Sequence, residues 1–217
     1  MKVVKINEPQ QREACLARLC AEAYGHQAGI APLVTFAGVI GVLFKQEAAR
    51  LLALVDDQSR PIALALLVSD EAGTSMNVAQ LTSLDPDAES AVDGGNKTSA
   101  ESESQGEAQK PAGKGKLNPA LRLVAELALR APLRVDVVSD AQKAEFSAAG
   151  IQRWIKGPGE LQIGLGPKHT ATSLDNLPRT LTVDEASVVA NFKQDKALFE
   201  DYKNRFVRGL ESFPRTL

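Results

Sequence analysis

Apolar positions follow two rhythms along this chain, one suited to strands and one to helices. Lys2 to Ile6 is a short run that reads as a strand. From Gln10 to Tyr24, Leu16, Leu19, Cys20 and Ala23 fall on one face at helical spacing. Pro32 suits the first turn of a second helix that carries Phe36, Val39, Ile40 and Leu43. Leu51 to Val55 and Pro61 to Val68 are apolar runs on either side of the polar stretch Asp56-Asp57-Gln58-Ser59-Arg60, the pattern of an antiparallel hairpin. Met76 to Leu84 is a further strand.

The pattern then stops. Residues 87–116 are rich in Ser, Glu, Gly, Ala and Lys, and Val92 is the one large aliphatic residue among them. Such a segment buries too little apolar surface to offset its ordering entropy, and it reads as a flexible insertion. Order resumes at Asn118-Pro119, a good N-cap followed by a good first helical residue. Leu117, Leu121, Val124 and Ala128 mark one face of that helix, and Leu123 and Leu127 broaden it into a stripe fit to lie on a sheet.

Leu133 to Val138 is a strand, and Ser139-x-x-Gln142 is a capping box for the helix after it. Gly150 is placed to end that helix. Ile151 to Ile155 and Glu160 to Leu165 flank Gly157-Pro158-Gly159 as a second hairpin. Past Gly166 the chain loops to another capping box, Thr182-x-x-Glu185. One long helix is expected to follow, with Phe192, Phe199 and Phe206 at heptad spacing and Tyr202 nearby. That stripe is too apolar to leave in water, so the helix should pack on the core or on a second copy, making a homodimer.

Composition changes this picture little. The chain has 217 residues, 44% hydrophobic and 24% charged, which is ordinary for a globular protein. A net charge of −2 gives no electrostatic reason to expect nucleic acid or an anionic membrane. Ala28 to Phe44 is uncharged but shorter than the roughly 20 residues needed to span a bilayer, and it contains Gly29, Pro32, Gly38 and Gly41, so it reads as a buried helix. The opening Met1-Lys2-Val3-Val4-Lys5 does not read as a secretory signal. Cys15 and Cys20 share a helix that holds them too rigidly for an easy disulfide and lack metal spacing. They read as small buried residues in a reducing, cytoplasmic setting.

The order of elements is strand, two helices, hairpin, strand, helix, strand, helix, hairpin. It resembles the GNAT superfamily of acyl-CoA-dependent N-acyltransferases over roughly Lys2 to Gly166. Leu81-Thr82-Ser83-Leu84-Asp85-Pro86-Asp87 is similar to the close of that family's fourth strand. Ser139 to Ile151, with Ala144, Phe146, Gly150 and Ile151, is similar to its fifth-strand exit and following helix. The resemblance implies an α/β fold with a GNAT-like mixed central sheet flanked by helices, covering residues 1–166. A loop and helical extension over 167–217 would follow it.

It also implies a chemistry. In that family the fourth and fifth strands splay apart and acyl-CoA lies in the gap, its pantetheine arm on fourth-strand backbone. The matching residues are Thr82, Ser83 and Leu84. The pyrophosphate sits on a glycine-bearing loop before the third helix, where small residues let N–H groups approach an anion. The nearest string is Lys110-Pro111-Ala112-Gly113-Lys114-Gly115, so Gly113, Lys114, Gly115 and Lys116 become the pyrophosphate candidates; the other reading of this string is plain linker. Many members carry a Tyr on the helix after the fifth strand to protonate the departing thiolate. Ser147 stands in that region, and Asp85 is the nearest strand-end carboxylate for a base, though Asp before Pro also simply forms turns.

No other constellation competes. His26 and His169 lack metal spacing and a triad order and read as structural, and Trp154 reads as core. The expected function is acetyl transfer from acetyl-CoA, as co-substrate, to a small-molecule or peptide amine. Two alternatives stay open: a GNAT-like module that binds without catalysis, and a structural partner protein working through its C-terminal helix.

Overall fold

The computed structural model describes residues 1–25, 27–85 and 117–217. The expected flexible insertion over 87–116, the pyrophosphate candidates Gly113, Lys114, Gly115 and Lys116, and His26 all lie outside the described residues.

Seven strands form one mixed sheet: β1 (Lys2–Lys5), β2 (Ala49–Val55), β3 (Pro61–Ser69), β4 (Met76–Ser83), β5 (Leu133–Val137), β6 (Arg153–Lys156) and β7 (Gln162–Leu165). Their spatial order is β1-β2-β3-β4-β5-β7-β6. All neighbours are antiparallel except β4 and β5, which run parallel. Among the described residues six α-helices accompany the sheet: α1 (Pro9–Tyr24), α2 (Ala31–Gly38), α3 (Pro119–Ala128), α4 (Asp140–Ala148), α5 (Glu185–Gln194) and α6 (Lys196–Glu211). This is the GNAT-like α/β arrangement that the order of elements implied.

The sheet separates two cores. Leu51, Ala53, Leu64, Leu66 and Val68 face α1, α2, α5 and α6. Leu54, Ala63, Ala65, Leu67, Leu133 and Val135 face α3 and the end of α4. β3 is buried along almost its whole length because both of its faces are covered, Leu64, Leu66 and Val68 in one core and Ala63, Ala65 and Leu67 in the other. The turn between β2 and β3 is set by Asp56, whose carboxylate accepts from the Gln58 and Arg60 N–H groups at 2.8 and 2.9 Å. No helix among the described residues is long and apolar enough to cross a membrane. The run from Ala28 is instead α2 and a π-helical turn, Val39–Leu43, most of it buried.

Cys15 and Cys20 are free and fully buried on α1, and burial pushes both thiols up to about 12. They stay protonated and unreactive in the folded chain.

The C-terminal part departs from expectation in two ways. The cap of α5 is Asp184, two residues past Thr182: its carboxylate accepts from the Ser187 N–H at 3.1 Å. The long helix is also two helices, broken at Asp195. That residue takes an extended backbone and caps α6 by accepting from the Leu198 N–H at 3.0 Å. A short polar side chain that bonds neighbouring backbone competes with helix continuation, and here it wins. The break lets the phenylalanines meet: Phe192 contacts Phe199 edge-on at 5.4 Å, and Phe206 contacts Phe36 at 5.2 Å. α6 packs on α1 and α2, and α5 on α2 and α6, of the same chain.

Candidate functional site

β4 and β5 are in register at two pairs, Met76↔Leu133 and Asn77↔Arg134, and then part. The cause lies in β4. Gln80 pairs with Leu66 and Val78 with Leu67, so Ala79 is an extra residue, a bulge. A bulge bends its strand and sharpens its twist, and this one falls two residues after the last β4–β5 pair.

Beyond the bulge, backbone groups alternate between the two sides of β4. The Leu84 N–H bonds to the Ile62 carbonyl of β3 at 2.9 Å. By alternation Thr82 also turns its backbone toward β3, while Leu81 and Ser83 turn theirs into the gap. Of the expected trio Thr82, Ser83 and Leu84, the ladder thus gives the gap Ser83, with Leu81 beside it. Leu84 is buried against the α1–α2 core.

Ser83 has a second task. Its hydroxyl accepts the Ala120 N–H at 3.1 Å, and Asn118 Oδ1 accepts the Leu121 N–H at 2.8 Å. Pro119 has no N–H to offer. The first turn of α3 therefore has its exposed donors filled by this chain's own side chains. A phosphate at this helix end would have to displace Ser83 or Asn118.

On the other face of the sheet, a cavity of about 1090 Å³ opens where the strands part. Ligand pockets typically measure about 300–1,000 Å³, so it is large enough for a small molecule. Its floor is Asn77 and Gln80 of β4 with Arg134 and Asp136 of β5. Arg134 holds Asp136 through Nε and Nη2, at 2.7 and 3.0 Å, and the Asn77 amide donates to the same carboxylate at 3.1 Å. Since a carboxylate only accepts, this fixes the Asn77 nitrogen on Asp136. Asn77 Oδ1 is buried and without a hydrogen-bond partner. Gln80 accepts from the Cys20 thiol at 3.5 Å.

Tyr24 and Thr35 line another part of the cavity, joined hydroxyl to hydroxyl at 2.8 Å, and Thr35 reaches Glu185 at 3.4 Å. One wall is a C-terminal segment between Leu174 and Glu185. It is fastened to the end of β3: Asp70 bridges Thr180, the Glu71 N–H bonds to the Arg179 carbonyl at 2.8 Å, and the Leu181 N–H bonds to the Ser69 carbonyl at 3.0 Å. Asp70 itself is buried. Burial pulls its carboxyl upward, but hydrogen bonds from Ser75 and Thr74 outweigh this and hold it below its ordinary range. Val183 of the wall presses on Gly38, where a Cβ would lie 2.3 Å from it, so only glycine admits the wall there.

Ser147 lies on α4, on the α3 side of the sheet. Its hydroxyl donates to the Lys143 carbonyl at 2.7 Å and accepts from Trp154 Nε1 at 3.1 Å. Both bonds serve packing, and the proton is already committed. Ser147→Ala should cost about 1 kcal/mol of stability by stranding the Trp154 N–H, which urea denaturation would read. Asp85 is exposed at the end of β4. His169 is buried. Its Nδ1 accepts from the Ala171 N–H at 3.1 Å, and burial followed by the nearby Arg153 holds it below its ordinary value, so it is neutral. No group of three or more metal-binding side chains is present among the described residues.

Sequence reasoning missed Asn77, Arg134, Asp136 and Arg179. The signal for two of them was in plain view: Leu133-Arg134-Val135-Asp136-Val137 alternates, and its polar face sits on an internal strand.

No protein-family profile matches the chain, and no curated protein matches it. Among solved structures it is similar to a spermidine N-acetyltransferase chimera from Vibrio cholerae. That likeness has 10% identity and a TM-score of 0.39, over 76% of this chain and 94% of the other. The fold assignment stands on the strand order, the single parallel pair and the parting of β4 from β5.

Proposed function

We propose that this chain transfers an acyl group, in the simplest case acetyl, from acyl-CoA to an amine. The observation that carries this reading is the bulge-driven parting of β4 and β5, with a cavity reaching it from the α1–α2 face. An extended thioester arm fits such a gap because Leu81 and Ser83 offer it backbone donors and acceptors, as a further strand would. The amine enters from the cavity, over Asn77 and Asp136.

The reaction needs little more than placement. The amine nitrogen attacks the thioester carbonyl, a C–N bond forms, and the C–S bond breaks. The thiolate leaves with the electron pair and takes a proton. The new ammonium gives one up. Holding both reactants in one geometry is the main source of rate in such a step. Asn77 lines the cavity and donates to Asp136, which holds that carboxylate where an incoming amine would meet it. The Asp136 carboxylate, held in place by Arg134 and Asn77, favours the positive charge that grows on the nitrogen.

A second reading, a GNAT-like module that binds without catalysis, is favoured by two observations. The α3 donors are already filled, and the Ser147 proton is already committed. General acid help is typically worth about 10²–10⁴-fold, so its absence fits a slow enzyme as well as an inactive one. Release of free thiol from acetyl-CoA, measured across a broad panel of amines, separates the two. The enzyme reading expects amine-dependent thiol release above the hydrolytic background. Firm acetyl-CoA binding with no release by any amine would put the module in its place.

A further inference from the structure

The cavity floor and the C-terminal wall carry two groups of opposite polarity with no side-chain partner among the described residues: one buried, on Asn77, and one exposed, on Arg179. Asn77 Oδ1 is an acceptor, buried and without a partner. Arg179 is a donor. Its backbone is pinned by the Glu71 N–H on its own carbonyl and by the Asp70–Thr180 bridge beside it. Its guanidinium makes no ion pair or side-chain hydrogen bond among the described residues, and it lines the cavity. The other cation there, Arg134, is already paired with Asp136 through Nε and Nη2.

We propose that the cavity binds a small aminocarboxylate, with its carboxylate on Arg179 and its amine toward Asn77 and Asp136. The role of that molecule as acyl acceptor rests on the acyl-transfer reading; its binding does not. A guanidinium fork matches a carboxylate in shape as well as charge, and a root fixed on both sides lowers the cost of holding it. A compound with amines only would bring Arg179 no counter-charge of its own. Glu71 and Glu185 also line the cavity, so a second amine on the ligand is accommodated. Glu185, in the first turn of α5, is partly compensated by the helix terminus. The wall between Leu174 and Glu185 closes one side, which suits a small molecule better than a polypeptide chain.

The test uses the full chain and matched probes that differ only in the carboxylate: ornithine against putrescine, and lysine against cadaverine, titrated calorimetrically. The amino acids should bind at least about tenfold more tightly than the diamines. Arg179→Gln should erase that difference without lowering the melting temperature, because the side chain holds nothing else in place. Arg179→Lys should restore part of it. Diamines binding as well as or better than amino acids, or neither class binding, would overturn the inference. The acyl-transfer reading fails separately. If ornithine binds through Arg179 but no thiol is released from acetyl-CoA, the cavity assignment holds and the activity does not. If thiol is released with no preference for a carboxylate, the activity holds and this inference fails.

Discussion

Ending the chain after Gly166 is expected to yield a protein that aggregates or fails to fold. α5 and α6 are part of the wall of the α1–α2 core. Phe192 is 7% exposed and Phe36, which Phe206 covers, is fully buried. Gly209 brings α6 so near α1 that a Cβ there would lie 2.9 Å from Ala17, and Arg205 pairs with Glu13 across the same contact. Deleting one buried Phe side chain costs about 3–5 kcal/mol. A whole domain is stable by about 5–15 kcal/mol, so losing the set together exceeds what the fold can spare. The point variant Phe192→Ala should remain folded but lose about 3–5 kcal/mol in urea denaturation. A soluble 1–166 chain melting at the full-length temperature would show that this core does not need its C-terminal wall.

Asp136→Ala should lower acyl transfer by about 10²-fold or more, the range typical of losing a group that handles charge at the reacting centre. It should also destabilise the chain, because Arg134 is left with only 12% of its side chain exposed and no counter-charge. Those two losses have different cures. Arg134→Ala/Asp136→Ala removes both charges, and its stability should recover relative to Asp136→Ala alone. Its activity should not. A double variant that regains both would mean that Asp136 matters for the fold and not for the chemistry.

The chain announces its fold well. Hairpin turns, the Asn118-Pro119 start and the Ser139 and Gly150 caps are local signals, and the structure uses each of them. The helix break at Asp195 was hidden because the heptad phenylalanines argue for one helix, and a single capping Asp cannot outvote them by pattern alone. The site was less legible. A bulge such as Ala79 is a property of two strands together, so β4 read singly does not reveal it. Arg134 and Asp136 look like a solvated strand face until the sheet order places β5 inside. Arg179 sits in a loop whose position depends on Asp70, 109 residues away in sequence by subtraction of their numbers.

The central claim is that the gap between β4 and β5 holds a thioester arm on the backbone of Leu81 and Ser83. Amide hydrogen exchange of the full chain, with and without saturating acetyl-CoA, tests it residue by residue. The N–H groups of Thr82 and Leu84 are turned to β3 and should change little. Those of Leu81 and Ser83 should slow markedly on adding acetyl-CoA. Unchanged exchange at Leu81 and Ser83 in a chain that binds acetyl-CoA, or no binding at all, would contradict the account.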